Sequence, residues 1–342
     1  MVAQNTAPAS RRSGQMLLLA VVAVLAAAGL PFLINSFFVG VVTSVLIWTI
    51  IGLGMVVLLG YSGQVSIGHS AFLAIGAYGH ALLIGAGVPF FLSVPIVVAA
   101  CLAVGALIAL PSLRFSGVYL AMATLAFAFI VEAVIGDLDI TGGRGGMPVP
   151  REKLFGYSLT QTNVLFYATL VLLVGTFLIA RNLVRSRTGR AWASLRDSEV
   201  AAASMGVGIA RYKTYAFAFS AATTALAGTL LAHKVGYLSP DGFTIQQSIE
   251  MLILVVIGGM GSLAGAFYGA AFLIILPILL SIVKDKVPSG MGELPGLEAG
   301  IFGAALIIFI LFQPKGIDGA IRAVLARLKN GTGAGRDDHA GA

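Results

Sequence analysis

Apolar runs long enough to cross a bilayer recur along this chain, and they exclude most soluble folds. A bilayer core of about 30 Å requires about 20 apolar residues in a helix. Such runs occupy residues 16–34, 38–59, 69–87, 90–110, 116–136, 163–184, 213–235, 245–259, 263–283 and 297–313. Only 10% of the 342 residues are charged, whereas a soluble domain has about 25%. We therefore predict an all-α polytopic membrane protein with about ten transmembrane helices.

The basic residues predict the orientation of these helices. Short loops rich in Arg and Lys stay in the cytoplasm. Arg11 and Arg12 precede the first run, five arginines lie in 185–212, and further basic residues follow 314. These positions place both termini in the cytoplasm, which requires an even number of spans. The first run continues long enough to span, so we interpret it as an uncleaved helix and not as a signal peptide.

The predicted organisation follows from this topology. A cytoplasmic segment, 1–15, is followed by a transmembrane domain, 16–314, and then by a basic, partly disordered cytoplasmic tail, 315–342. Within the domain, 137–162 is predicted to be an extracytoplasmic loop and 185–212 a cytoplasmic loop. The net charge of +7 comes from basic residues at the ends of apolar runs. That placement indicates membrane orientation and not nucleic-acid binding.

Motifs for catalysis and for cofactor binding are missing from the sequence. It contains no G-x-x-x-x-G-K-[ST] phosphate loop, no H-E-x-x-H and no Cys/His cluster. Cys101 is the single cysteine, so a disulfide framework is excluded. We predict no catalytic residue, no metal site and no cofactor bound by this chain.

Two polar stretches interrupt the apolar pattern. "GYSGQVSIGHSAF" covers 60–72 and "GYLSPDGFTIQQS" covers 236–248. Both begin Gly-Tyr, both precede an apolar helix, and five spans separate them, as in transporters built from two inverted halves. We therefore expect an inverted 5+5 repeat. Nonhelical backbone at membrane depth is tolerated where it is buried or lines a wet path. The candidate pathway residues are Ser62, Gln64, Ser66, His69, Ser239, Gln247 and Glu250; the alternative is that these side chains only satisfy backbone groups.

The segment 185–212 differs from the rest because it is polar and basic. Within it, "DSEVAAASMG" predicts a short helix, with Asp197 or Ser198 as its N-cap. Gly206 suits the left-handed position after the last turn. The simplest interpretation is a surface helix that holds a loop in place. The functional interpretation is a platform that receives force from a cytoplasmic partner.

Four segments together resemble one transporter family. They are "LGYSGQVSIGHSAFLAIGAY" at 59–78, "TGGRGGMPVP" at 141–150, "GRAWASLRDSEVAAASMGVGIARYKTYAFAFSAATTALAG" at 189–228 and "YLSPDGFTIQQSIEMLILVVIGGMGSLAGAFYGAAFL" at 237–273. They resemble the LivM-type permeases of bacterial branched-chain amino acid ABC importers. The chain lacks the E-A-A-x-x-x-G and I-x-L-P continuation of another large importer class.

The resemblance implies site residues, partners and location. The loop that couples to an ATPase would contain Arg190, Arg196, Asp197, Glu199, Ala201, Ala202 and Gly206. An outer glycine loop would contain Thr141, Gly142, Gly143, Gly145 and Gly146. The partners would be a LivH-like second permease, two ABC ATPase subunits that hydrolyse ATP, and an extracytoplasmic substrate-binding protein. The complex would lie in the lipid bilayer of the bacterial inner membrane.

These observations predict an ATP-driven import function. The expected substrates are branched-chain or other hydrophobic amino acids, moved by alternating access. Urea, short amides or aromatic acids are the alternatives within the same family. An ion-coupled secondary transporter or a channel is the alternative from a different class, and neither of these requires a platform for an ATPase.

Overall fold

The computed structural model describes residues 29–110, 117–154, 156–284 and 316–331, together with residues 300, 303, 304, 307, 311 and 313. Seven helices in this part of the chain are long and apolar enough to cross a membrane. This confirms the all-α, polytopic class. The predicted spans 16–34 and 297–313 and the last part of the tail lie largely outside the described residues.

The apolar helices follow the predicted apolar runs. They are α1 (Ser36–Met55), α2 (His69–Gly85), α3 (Phe90–Ile108), α4 (Val118–Asp137), α5 (Thr162–Arg185), α8 (Ile209–Val235), α9 (Ile245–Gly258) and α10 (Leu263–Lys284). A π-helical turn, Val56–Tyr61, extends α1. The helix α2 has 17 residues and α9 has 14, so both are shorter than a full span.

Polar segments form three further helices, of which the sequence predicted one. They are α6 (Arg187–Asp197), α7 (Glu199–Ser204) and α11 (Gly316–Gly331). The short helix α7 confirms the prediction made from "DSEVAAASMG". The helix α11 was missed because its basic residues suggested only an orientation signal.

Short strands in the loops add a detail that an all-α prediction did not contain. Strand β1 (Met147–Pro148) pairs antiparallel with β4 (Tyr237–Leu238), with Met147 opposite Leu238. Strand β2 (Lys153–Leu154) pairs antiparallel with β3 (Tyr157–Ser158). Each strand has two residues, so the pairs fix loops and do not build a layer.

Two long helices, α1 and α8, form the centre of the bundle. They are the most buried of the spans, whereas α3, α4 and α10 expose most of their residues. Exposed side chains on these outer helices are large and apolar, for example Leu107, Ile130 and Leu279. Lipid tails solvate such side chains, so burial in this chain reports helix packing and not exclusion from water.

Glycines allow the central helices to approach closely. A Cβ atom on Gly228 of α8 would lie 2.3 Å from the Leu73 carbonyl oxygen of α2. In α10, a Cβ on Gly269 would lie 2.0 Å from the Leu254 carbonyl oxygen of α9. The motif Gly265-x-x-x-Gly269 is therefore a packing face, as small-residue motifs in membrane helices usually are.

Replacing Gly228 with Ala is expected to destabilise the bundle. The new methyl group must push against main-chain atoms of α2, and overpacking of this kind costs about 1–3 kcal/mol. The matched control is Gly175→Ala in α5, where a Cβ meets nothing within 4 Å. That control should be neutral or stabilising by about 0.5–1 kcal/mol. Thermal unfolding of both variants in detergent measures the difference, and equal melting temperatures would contradict the close approach.

Candidate transport pathway and docking platform

The two polar stretches lie at opposite ends of the bundle. Gly60 accepts a hydrogen bond from Arg196 of α6, which places the first stretch beside the 187–206 segment. Strand β4 of the second stretch pairs with β1 of the 138–161 loop. We call these two ends the platform end and the loop end.

The first stretch begins in the π-helical turn that extends α1 and continues as irregular backbone. The Ser62 hydroxyl donates to the Leu58 carbonyl at 2.6 Å, and the Gln64 amide nitrogen donates to Ser62 Oγ at 2.9 Å. Gly63 has a φ of +70°, a conformation that suits glycine. π-helical turns concentrate at functional sites. Ser62 and Gln64 are thus buried and bonded near the platform end.

A buried polar cluster lies where this stretch enters α2. His69 Nδ1 is 2.9 Å from Ser66 Oγ, and His69 Nε2 is 2.8 Å from Ser220 Oγ of α8. All three side chains are fully buried. Phe72 and Phe217 pack against the imidazole ring, with ring centroids 5.5 and 5.6 Å away. We call Ser66, His69 and Ser220 the polar core.

The hydrogen bonds of the polar core form one chain with a defined direction. The Ser220 hydroxyl donates to Met55 Sδ at 3.7 Å, and a thioether can only accept. Ser220 Oγ therefore accepts from His69 Nε2–H. His69 Nδ1 is then the acceptor for the Ser66 hydroxyl. This row of hydrogen bonds ties α8 to α1 and to the start of α2 through one imidazole.

The first turns of α2 and α9 meet beside the polar core. The Ser70 backbone N–H donates to Ser248 Oγ at 2.9 Å, and the Ser248 hydroxyl donates to Ser70 Oγ at 2.8 Å. Both side chains are fully buried. Ser70 lies near the end of the first polar stretch and Ser248 ends the second. The two stretches therefore converge inside the bundle although they start from opposite ends.

Cysteines at these two positions should form a disulfide. The Oγ atoms of Ser70 and Ser248 are 2.8 Å apart, which is compatible with the short Cβ separation that a disulfide requires. We expect the pair Ser70→Cys and Ser248→Cys, in a Cys101→Ala background, to cross-link under mild oxidation. Peptide mass spectrometry without reductant detects the bond. The single variants are the controls, and a pair that stays reduced would contradict the meeting of the two helices.

The second stretch is held at the loop end by the glycine loop. Thr141 is buried, and its hydroxyl donates to the Ile135 carbonyl at 2.6 Å, which closes the end of α4. Gly142, Gly143 and Gly146 all have positive φ. A Cβ on Gly146 would lie 2.1 Å from the Leu238 carbonyl oxygen. The exposed Gly145 accepts a bond from the Tyr237 hydroxyl, so the glycines permit the loop to seat on β4.

The remaining candidate pathway residues do not belong to the polar core. Ser239 is half-buried at the loop end, and its carbonyl accepts from the Gly242 N–H. Gln247 and Glu250 lie on α9 and are also half-buried. The Oε1 atom of Gln247 is buried without a hydrogen-bond partner. Of the seven candidates, hydrogen bonds join Ser66 to His69 and Ser62 to Gln64.

A second buried cluster contains His80 and His233, which the sequence analysis did not name. Their Nε2 atoms are 2.9 Å apart, and Ser93 Oγ is 3.0 Å from His80 Nδ1. The cluster joins α2, α3 and the last turns of α8. His80 and His233 are separated by 153 positions, and no local pattern in the sequence indicates such a pair.

The 187–206 segment folds as two helices, and we call it the platform. Ser186 caps α6 by accepting from the Thr188 N–H at 3.1 Å. Trp192 is fully buried, and its indole N–H donates to the Tyr212 carbonyl at 2.8 Å. This anchor holds α6 against the beginning of α8. The exposed Arg190 remains at the surface.

The second platform helix confirms the predicted caps. Ser198 caps α7 by accepting from the Ala201 N–H at 3.2 Å. Gly206 has a φ of +80°, and its N–H donates to the Ala203 carbonyl, which ends the helix. Asp197 contacts Arg196 at 3.5 Å instead of capping the helix.

The exposed face of the platform carries apolar side chains. Ala202 is buried, whereas Ala201 is exposed. Val200 is 79% exposed and Met205 is 84% exposed. The sequence analysis named neither of these two apolar side chains, because a six-residue helix has too few positions for its faces to be assigned from pattern.

One direct hydrogen bond and one bridge through Lys213 of α8 connect the platform to the first polar stretch. Arg196 Nη1 donates to the Gly60 carbonyl at 2.8 Å. Gln64 Nε2 donates to the Lys213 carbonyl at 3.2 Å. Lys213 Nζ lies 2.7 Å from Glu199 Oε1, with the lysine side chain only 5% exposed. A displacement of the platform would therefore be transmitted to the backbone that leads to His69.

The described residues contain no group of three or more His, Cys, Asp and Glu side chains that could hold a metal ion. The two buried clusters around His69 and His80 consist of hydroxyls and imidazoles, and such groups can rearrange their hydrogen bonds.

Residues 37–311 match the family described as branched-chain amino acid transport system / permease component. The match includes both polar stretches, the glycine loop and the platform.

Individual relatives agree with the family match. The high-affinity branched-chain amino acid transport system permease protein LivM of Escherichia coli (strain K12) is 34% identical, over 94% of this chain and 79% of that protein. The BraD permease of Pseudomonas aeruginosa is 29% identical over 50% of this chain and 54% of that protein. The autoinducer 2 import system permease LsrC of Enterobacter sp. (strain 638) is 27% identical over 77% and 73%. No solved structure matches the chain.

Proposed function

Since the chain belongs to the family of permease components of branched-chain amino acid transport systems, we propose that it forms the path for branched-chain or other hydrophobic amino acids in an ATP-driven importer. Its place is the bacterial inner membrane, which it crosses several times. Movement would occur by alternating access, with the polar core at the point where the path opens and closes.

The contact between the platform and the first polar stretch is the observation that carries this proposal. A channel or an ion-coupled transporter does not require an anchored polar segment that is bonded to the core. Here Arg196 bonds to Gly60, and Lys213 of α8 bridges Glu199 of the platform to Gln64. An ATPase that pushes on the platform would thus change the backbone beside His69.

The pattern of helix contacts supports two inverted halves. Inversion exchanges α1 with α8, α2 with α9, and α3 with α10. The contact of α1 with α10 then corresponds to that of α8 with α3, and both are present. The contacts of α2 with α8 and of α9 with α1 correspond in the same way. We propose ten spans with both termini in the cytoplasm, where the platform also lies.

The partners follow from the family and from the chain's lack of a phosphate loop. We propose a LivH-like second permease, two ABC ATPase subunits and an extracytoplasmic binding protein. The ATPases would hydrolyse ATP, and this chain would bind no cofactor. One ATPase would dock at the platform, where Val200 and Met205 offer exposed apolar side chains.

Reconstitution of the complete importer tests the function. Proteoliposomes that contain both permeases and both ATPases, with the binding protein outside, should take up radiolabelled leucine only when ATP is enclosed. The controls omit the ATPases or supply urea, a short amide or an aromatic acid as the solute. Uptake by this chain alone, driven by an ion gradient and insensitive to an ATPase inhibitor, would overturn the proposal.

A further inference from the structure

Three arginines converge on one cavity at the platform end, away from the polar core. The cavity has a volume of about 420 Å³ and is lined by Arg181, Arg185 and Arg322, with Tyr61 and Ser262. Arg181 and Arg185 lie one turn apart at the end of α5, so they share a face of that helix. Arg322 comes from α11, more than a hundred positions later in the chain.

An ion pair and a hydrogen bond hold the Arg322 side chain in place. Its Nε lies 2.7 Å from Asp318 Oδ2, and its Nη2 donates to Ser262 Oγ at 3.0 Å. Asp318 is largely buried. The residues that line the cavity include no carboxylate. With three arginines and one neighbouring acid, the site keeps an excess of positive charge.

The remaining wall of the cavity is apolar. Phe177, Val184 and Leu263 line it, and α10 begins at Leu263. The start of a long helix carries a partial positive charge that favours anions. The site therefore combines a cationic part with an apolar wall, at the place where α5 ends and α10 begins.

From this combination we infer that the cavity binds the phosphate headgroup of an anionic phospholipid, with the acyl chains along Phe177 and Val184. Arginine recognises phosphate through paired N–H donors. Basic pockets between membrane helices are established as binding sites for anionic lipid headgroups. A bound lipid would join α5 to α11 and so hold α11 against the bundle.

Native mass spectrometry of the full chain tests the inference. The probes are phosphatidylglycerol and phosphatidylcholine, added to protein in detergent. We expect the wild type to retain phosphatidylglycerol in preference. Each arginine near a lipid surface contributes about a fivefold change in binding, so Arg185→Gln should retain about fivefold less and the triple variant at Arg181, Arg185 and Arg322 about a hundredfold less. The matched control, Arg151→Gln, removes an exposed arginine at the loop end and should retain as much as the wild type.

A second arm separates a lipid from a free anion, and folding is checked independently. Inorganic phosphate at millimolar concentration should leave lipid retention unchanged, and its displacement of the lipid would overturn the lipid assignment. Equal retention of both lipids by the wild type, or unchanged retention by a triple variant with a normal melting temperature, would also overturn it. Arg185→Gln alters one exposed residue, so its result stands if the triple variant unfolds.

Discussion

Aspartates at Val200 and Met205 together should abolish ATP-driven uptake without unfolding the chain. Both side chains are exposed, at 79% and 84%, and they lie at the platform where we place the ATPase. Truncating a hot-spot side chain at the centre of an interface costs about 2 kcal/mol or more. Two buried carboxylates without partners would add to that loss. Uptake of leucine by the reconstituted importer should therefore fall by at least about 100-fold.

Conservative changes at the same positions provide the control. Val200→Ile and Met205→Leu keep apolar side chains of similar volume, so uptake and ATPase binding should remain near the wild-type level. The melting temperature of the aspartate variant should also match the wild type, since exposed positions contribute little to folding. Full uptake by the aspartate variant, with the ATPase still bound, would show that the docking surface lies elsewhere.

Removal of the imidazole from the polar core is the second prediction with a large effect. His69→Phe keeps an aromatic ring among Phe72 and Phe217 but leaves the Ser66 hydroxyl without its acceptor. An unsatisfied buried polar group costs about 1–3 kcal/mol. We expect a lower melting temperature and uptake reduced by at least about tenfold, which corresponds to about 1.4 kcal/mol.

A triple variant separates a transport role from a packing role. Ser66→Ala, His69→Phe and Ser220→Ala together remove every member of the polar core. Replacing all partners by apolar groups can be nearly neutral for stability, so the melting temperature should recover from that of His69→Phe alone. Uptake should remain lost if the hydrogen bonds rearrange during transport. Normal uptake by the triple variant would leave the cluster with packing as its only role.

The sequence predicted the transmembrane helices well because the bilayer imposes a strong local requirement. Each apolar run of about 20 residues must satisfy its own backbone, and a helix does so within the segment. The caps of α7 were also predicted, because they too depend on local interactions. Ser198 and Gly206 act on backbone groups within four residues of themselves, so their types are sufficient to predict them.

Contacts between distant segments could not be predicted in this way. His80 and His233 lie on helices that pack together, yet nothing in either helix specifies the partner. Arg196 and Gly60 are likewise 136 positions apart. The resemblance to the family located the stretches but did not indicate that the platform is bonded to one of them.

The candidate site was predicted in part. Ser66 and His69 do belong to a buried polar cluster, whereas Ser220 and Ser248 were absent from the prediction. Serines on apolar helices are frequent and usually bond to their own backbone. Only the packing of α8 and α9 against α2 distinguishes these two serines from the others.

Labelling of a cysteine at Ser66 tests most directly whether the platform controls the polar core. Ser66 is fully buried, so Ser66→Cys in a Cys101→Ala background should react slowly with a membrane-permeant thiol reagent in the nucleotide-free importer. ATP binding should change that rate, and the change should disappear when Val200 and Met205 are replaced by Asp. A rate that is the same in all nucleotide states of an importer active in uptake would contradict the account.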